Sequence, residues 1–330
     1  MLISIGRAVY LPIFTAVALG YLLSLGLARL GSARRPVLAG ALRQAQRLPQ
    51  LLSRYLFLVG IPLCVVNFVR AADLSLSVFI APLVAWMAML LAIVITWASL
   101  HVSTRVSSPG EKGSLLLLSY IGNTSYLGFP VILFLPQLGP DYFSWAVLYD
   151  VLGTFFGAYV LGLVLASMHS GDAPTGVPFW QQGLREVLRN PSLYAFTLGL
   201  ALRPVPLPRE LLTLLGGVAW LSIMLCLVLM GIRLQQLSSW DHLDIAMRPV
   251  LIKMLIVPLV IAAGLTAFGV DGPARLVLIL QASMPCAVAT VVLAERYGLD
   301  RDLVVAAVGL STLLLVFTVP LWVVAFTSWS

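Results

Sequence analysis

The sequence predicts an all-α polytopic membrane protein: ten transmembrane helices in a five-plus-five inverted repeat, with helices four and nine broken. Three observations predict it. The composition is apolar and poor in charge, the apolar residues fall into runs of membrane-spanning length, and two of those runs are interrupted at corresponding places in the two halves.

Of the 330 residues, 60% are hydrophobic and 10% charged, and the mean hydropathy is +1.01. Soluble domains carry about 25% charged residues, so this chain cannot cover a water-facing surface. A span of roughly 30 Å of hydrocarbon needs about 20 apolar residues, and the runs reach that length. The formal net charge is +7. The basic residues sit in short loops between apolar runs, which reads as positive-inside topology and not as a nucleic-acid surface. Cys64, Cys226 and Cys286 all lie inside apolar runs without a Cys-x-x-Cys. Neither a disulfide framework nor a metal site is indicated, and no cofactor is expected.

The runs are read in order as follows. Segment one covers residues 10–30; its length, with an arginine cluster after it and not before it, marks a helix and not a cleavable leader. Segments two to five cover 51–69, 78–100, 114–135 and 143–168. A polar linker rich in Gly, Pro and Asp follows, within which 179–188 is expected to form a short surface helix. Segments six to ten cover 191–202, 211–234, 249–268, 274–294 and 303–326. The domain reading is a first repeat over 1–170, a cytoplasmic linker over 171–190 and a second, inverted repeat over 191–330.

Orientation follows from the loops. Those after the odd-numbered segments hold Arg29, Arg34, Arg35, Arg43, Arg47, Arg105, Lys112, Arg185, Arg189, Arg233, Arg248, Arg296 and Arg301. The opposite side holds only Arg7, Arg70, Arg203, Arg209 and Arg275. The excess places the odd loops in the cytoplasm and both termini outside.

The halves resemble each other. Pro12, Ala16, Leu19 and Gly20 recur at the same spacing as Pro191, Ala195, Leu198 and Gly199. Gly139 and Asp141 after segment four match Gly298 and Asp300 after segment nine. Five segments is an odd number, so the second copy enters the membrane upside down. Inverted repeats of this kind mark transporters, with the substrate site near the midplane between the copies.

Segment four contains Gly122-Asn123-Thr124-Ser125-Tyr126-Leu127-Gly128-Phe129-Pro130, and segment nine contains Gln281-Ala282-Ser283-Met284-Pro285-Cys286. Proline removes a backbone donor and clashes with the preceding turn, and glycine weakens a helix interior. Backbone freed at membrane depth survives only where it lines a cavity or is buried in protein, and a half-helix N-terminus favours an anionic group. An ordinary proline kink is the competing reading, and Pro12, Pro62, Pro82, Pro258 and Pro320 are read that way. Two matched breaks beside polar side chains point instead to a substrate site. Asn123, Thr124, Ser125, Ser283, Pro285 and Cys286 are the candidate substrate-binding residues. Gly122, Gly128, Pro130 and Pro285 are the candidate hinge positions. Asp150, about eight residues into segment five, is an acid at depth, which costs roughly 2.5–3.5 kcal/mol and is usually functional. Asp150 and Gln281 are the candidates for ion or proton coupling; Asp150 serving only as an acceptor for the broken backbone is the alternative. Lys253 is placed just inside segment eight, and no deep Lys or Arg is expected near the breaks. An anion would then be held by helix ends, Asn and Ser/Thr alone. Gly153-x-x-x-Gly157 reads as helix packing, and Trp86, Trp97, Trp145, Trp322 and Trp329 read as interface anchors.

The motif from Gly122-Asn123-Thr124 to Leu127-Gly128-Phe129-Pro130 resembles the fourth-helix motif of the auxin efflux carrier family. Met284-Pro285, then Ala294-Glu295-Arg296-Tyr297-Gly298 with Asp300, Ser311-Thr312 and Pro320, is similar to that family's ninth and tenth helices. Asn190-Pro191-Ser192-Leu193-Tyr194 is similar to the start of its sixth. The resemblance covers nearly the whole chain. It implies the fold shared with bile-acid symporters, in which helices four and nine cross at their breaks. It also implies a scaffold of helices one, two, six and seven, a moving group of helices three to five and eight to ten, and a homodimer through the scaffold. The implied substrates are small organic anions: indole-3-acetate in plant members, dicarboxylates such as malate or malonate in bacterial ones. Gly122 stands where plant exporters have Pro, Cys286 where they have a polar residue, and the central linker is short. These departures point to a prokaryotic-type member in a bacterial inner (plasma) membrane.

The expected function is a secondary carrier, of the efflux type, for a small organic carboxylate, working by alternating access in the lipid bilayer. A sodium- or proton-coupled symporter and a membrane receptor that binds without transport are the alternatives. An enzyme is not expected, since no His-Glu-x-x-His, Gly-x-Ser-x-Gly or deep carboxylate pair occurs.

Overall fold

A computed structural model of the chain describes residues 11–32, 47–72, 75–102, 106, 108–170, 179–236 and 242–327. Among them every regular element is a helix. These are α1 (Leu11–Ser32), α2 (Leu48–Ala71), α3 (Leu76–Val102), α4 (Pro109–Tyr120), α5 (Thr124–Phe134), α6 (Gly139–His169), α7 (Phe179–Leu188), α8 (Pro191–Ala201), α9 (Arg209–Gln236), α10 (Leu243–Ala267), α11 (Gly272–Ala282), α12 (Ala289–Tyr297) and α13 (Arg301–Thr327). Six of them, α2, α3, α6, α9, α10 and α13, are long and apolar enough to cross a membrane, and Leu11–Leu27, α5 and α11 add shorter apolar stretches. Large apolar side chains such as Leu22, Leu83, Val94, Leu214 and Phe317 face outward, as a lipid solvent allows and water does not. The chain is an all-helical polytopic membrane protein.

The described residues form two compact units. The first takes residues up to Ala72, Ser125–Phe143 and Pro191–Leu237; the second takes Asp73–Thr124, Ser144–Asn190 and residues from Ser238 onward. The chain therefore leaves the second unit between Thr124 and Ser125, inside the first break.

In the first unit α1 and α9 pack backbone to backbone. A Cβ on Gly20 would lie 2.0 Å from the Val228 carbonyl oxygen, and one on Gly231 2.0 Å from that of Val17. Small residues allow this approach without hydrophobic drive between helices. Further along the pair, Ser24 Oγ donates to Gln235 Oε1 at 2.7 Å. Cys64 Sγ on α2 donates to the Ala219 carbonyl of α9 at 3.2 Å, and Arg70 donates to the Leu202 and Val205 carbonyls that follow α8. Phe68, Phe143, Phe129, Phe134 and Trp220 form one aromatic cluster.

In the second unit α4 opens with a reciprocal capping box between Ser108 and Glu111, with Pro109 in its first turn, which satisfies two orphan donors. Gly153 lies against Ala85 and Pro82 of α3, and Gly157 against Met89, so the Gly-x-x-x-Gly pattern is a packing surface. α12 ends on Gly298 at φ 60°, the left-handed cap that glycine adopts without strain.

Two readings need correction. Segment eight does not begin at Pro249, because α10 starts at Leu243 and carries Pro249 inside. This moves Lys253 from an end toward the middle of a spanning helix. Trp145 and Trp322 are not interface anchors. Both are buried, and Trp322 Nε1 donates to the Met254 carbonyl at 3.1 Å. Trp97 is exposed, and Trp329 lies outside the described residues.

Candidate functional site

The two breaks pair with each other inside the second unit. Gly122 and Cys286 form an isolated antiparallel bridge. The Asn123 amide donates to the Pro285 carbonyl at 2.8 Å, and the Ala287 amide donates to the Ile121 carbonyl at 3.0 Å. α4 ends at Tyr120 and α11 at Ala282, where Gly122 weakens the one helix and Pro285 breaks the other. Amides and carbonyls released at depth need partners, and here each break supplies part of the other's.

The polar side chains of this region are buried. Asn123, Thr124, Asp150, Gln281, Ser283 and Ser311 all lie out of solvent, as does Cys286. Thr124 Oγ1 donates a hydrogen bond to Asp150 Oδ1. Asp150 stands in a wide, π-helical turn of α6, Tyr149–Thr154, and turns of that kind re-aim side chains and gather at functional sites. The second break is tied to α13: the Cys286 amide donates to Ser311 Oγ at 3.1 Å, and that hydroxyl donates onward to the Val308 carbonyl. Ser311→Ala would leave the buried Cys286 amide without its acceptor. A loss of about 1–3 kcal/mol is expected, read as a lower unfolding midpoint of the purified protein.

Gln281 is fully buried, and among the described residues neither its Oε1 nor its Nε2 has a hydrogen-bond partner. Ser283 Oγ donates back to the Leu280 carbonyl at 2.9 Å. Ser125, Gly128 and Pro130 belong to the first unit. Ser125 is half-buried, Gly128 and Pro130 are buried, and Pro130 occupies the first turn of an α-helical stretch, where its missing N–H is harmless.

The expectation that no cation lies near the breaks is wrong. Lys253 is buried at 4% exposure, and its Nζ donates to the Tyr120 carbonyl, the last of α4, at 3.3 Å. A Cβ on Gly122 would stand 2.9 Å from that nitrogen. The wide turn Ile252–Ile256 of α10 carries the residue there. Tyr120 and Ser311 are also part of the site and were not marked by the sequence reading. Ser311 could have been, since it belongs to the Ser311-Thr312 motif.

A helical membrane protein whose interrupted helices meet over buried polar groups is built as a transporter, and comparison with known proteins agrees. Residues 178–323 match a family described as membrane transport protein. An uncharacterized transporter of Methanothermobacter thermautotrophicus is 27% identical over 274 residues, 82% of this chain and 87% of the relative. One from Methanocaldococcus jannaschii is 23% identical over 217 residues, 64% and 68% of the two chains. The chain is a membrane transporter. The family match and both relatives are in keeping with the resemblance carried by its helix-four and helix-nine motifs.

Proposed function

We propose that this transporter is a secondary carrier of small organic anions, of the efflux type, binding a carboxylate where the two breaks meet and exposing it alternately to either side of a plasma membrane. The observation that carries this reading is the antiparallel pairing of Gly122 with Cys286 amid buried Asn123, Thr124, Gln281 and Ser283. Polar groups sequestered at depth in an apolar protein need a function to offset their desolvation. The grouping of α1, α2, α8 and α9 in one compact unit, with α3, α4, most of α6 and α10–α13 in the other, supports an elevator-like movement of one group against a scaffold, although nearly all of α5, the second half of segment four, falls with the first unit. A homodimer through that scaffold fits the same scheme. The ten-segment inverted repeat and the outside placement of both termini are part of this proposal.

In proteoliposomes, Asn123→Ala/Thr124→Ala should lower carboxylate uptake efficiency by about tenfold or more, since each hydrogen bond to a charged group contributes about 1.5–3 kcal/mol. Unchanged uptake kinetics would remove these residues from the site. Proton or sodium coupling is a second reading, favoured by the buried carboxyl of Asp150 bonded to Thr124.

A further inference from the structure

We propose, building on the anion-carrier reading, that Lys253 is the fixed cation of the substrate site and that its ammonium forms the ion pair with the carboxylate of the transported anion. A buried ammonium is costly unless it is paired and hydrogen-bonded. Lys253 makes no ion pair with any described residue, and its one hydrogen bond is the 3.3 Å contact to the Tyr120 carbonyl. An ammonium has three donors, so two stay unfilled. The partial negative charge at the C-terminal end of α4 helps, but one long hydrogen bond and one helix end offset only part of the desolvation. A full negative charge is the missing partner, and among the described residues the protein supplies none at ion-pair distance.

The surroundings fit a small ligand. Residue 122 is glycine, and a Cβ there would stand 2.9 Å from Nζ and 3.0 Å from Cε of Lys253, so the lysine end would have to shift to admit one. The ammonium therefore faces bare backbone where the breaks pair, with the Met284 carbonyl 3.7 Å from the same Cβ position. Backbone carbonyls repel an anion, so the cation is what makes a carboxylate acceptable in this place. Gln281 stands in the last turn of α11, about one turn before Pro285. Its buried, unpartnered amide adds an N–H donor of the kind a carboxylate takes beside an ammonium. A structural reading of Lys253, as a cap on the end of α4, differs in sign. A cap stabilises the empty protein, whereas an unpaired buried charge destabilises it.

The test is thermal unfolding of the purified full-length protein with acetate, malonate or the uncharged malonamide. Wild type should be stabilised by a carboxylate and not by malonamide. Lys253→Met and Lys253→Gln should unfold at the same or a higher temperature than wild type without ligand, and should need at least about tenfold more carboxylate for the same shift. Lys253→Arg should keep part of the response. A lower ligand-free midpoint with an unchanged carboxylate requirement in either neutral variant overturns the proposal and leaves the carrier reading standing. Should neither variant fold, wild type still decides: stabilisation by malonamide equal to that by malonate means that no cation is used. No shift of wild type with any carboxylate overturns the anion-carrier reading and, with it, the role of Lys253.

Discussion

Gly231→Ala should destabilise the protein by about 3 kcal/mol, at the upper end of what overpacking costs or beyond it. The new methyl carbon would sit 2.0 Å from the Val17 carbonyl oxygen, 2.8 Å from its carbon and 2.9 Å from the Tyr21 amide nitrogen. All three are backbone atoms of α1, so no rotamer change relieves the clash. The helices must separate, and separation loosens the Ser24–Gln235 bond further along the same pair. Gly20→Ala meets the Val228 carbonyl at the same 2.0 Å and should behave alike. The double variant should cost less than the two together, because one separation accommodates both methyl groups. The control is on the same helix: Gly216 and Gly217 have open space around them. Alanine there should be neutral or stabilising by up to about 1 kcal/mol, the difference in helix propensity. Thermal unfolding in detergent measures all five. Equal midpoints for Gly231→Ala and Gly216→Ala would mean that α1 and α9 do not approach this closely.

These glycines show where the sequence stops being legible. The Gly153-x-x-x-Gly157 pattern is local and reads directly as packing. Gly20 and Gly231 are on helices far apart in the chain, and nothing in either run says which partner it meets. The breaks were legible because Gly122, Pro130 and Pro285 carry their backbone consequences with them. Asp150 was legible because an acid in an apolar run stands out. Lys253 stands out equally, but its depth depends on where α10 begins. The polar run before Pro249 hides a start at Leu243, and a lysine near a helix end reads as an ordinary snorkelling residue. The wide turn Ile252–Ile256 compounds this, because a residue in such a turn leaves the 100° register from which a helical face is read. The partnership of Ser311 with Cys286 needs α13 against the second break, a tertiary contact that no spacing encodes. Trp145 and Trp322 misled for the opposite reason: position near a segment end suggested the interface, while the ring of Trp322 closes onto Met254 in the interior.

Asp150→Asn should separate the two roles left open for this acid. The amide keeps a side-chain oxygen to accept from Thr124 Oγ1 but carries no charge. Asp150→Ala keeps neither and leaves the Thr124 hydroxyl, itself buried, without this acceptor. If the carboxyl serves only as an acceptor, the alanine variant should lose about 1–3 kcal/mol, while the asparagine variant unfolds near wild type and transports normally. If Asp150 couples a cation to the anion, the asparagine variant should fold well and still bind carboxylate, yet the effect of a proton or sodium gradient on uptake should disappear. Coupling between two ligands typically changes affinity by roughly 5–150-fold, so the loss is large enough to read in proteoliposomes as uptake that no longer responds to the gradient. The coupled outcome is the one we expect. A carboxylate with 7% exposure in a wide turn of α6, bonded to the residue that begins α5, is an expensive way to provide an acceptor that asparagine or a backbone carbonyl could supply at less desolvation cost. Lys253 sharpens the expectation. With an ammonium donating to the end of α4 and a carboxyl accepting from Thr124, two opposite charges are assigned to the two ends of one short break. Neutralising Asp150 should then tighten the hold of Lys253 on the substrate anion while abolishing its coupled release. A gradient response that survives in Asp150→Asn would assign coupling elsewhere and leave Asp150 as an acceptor.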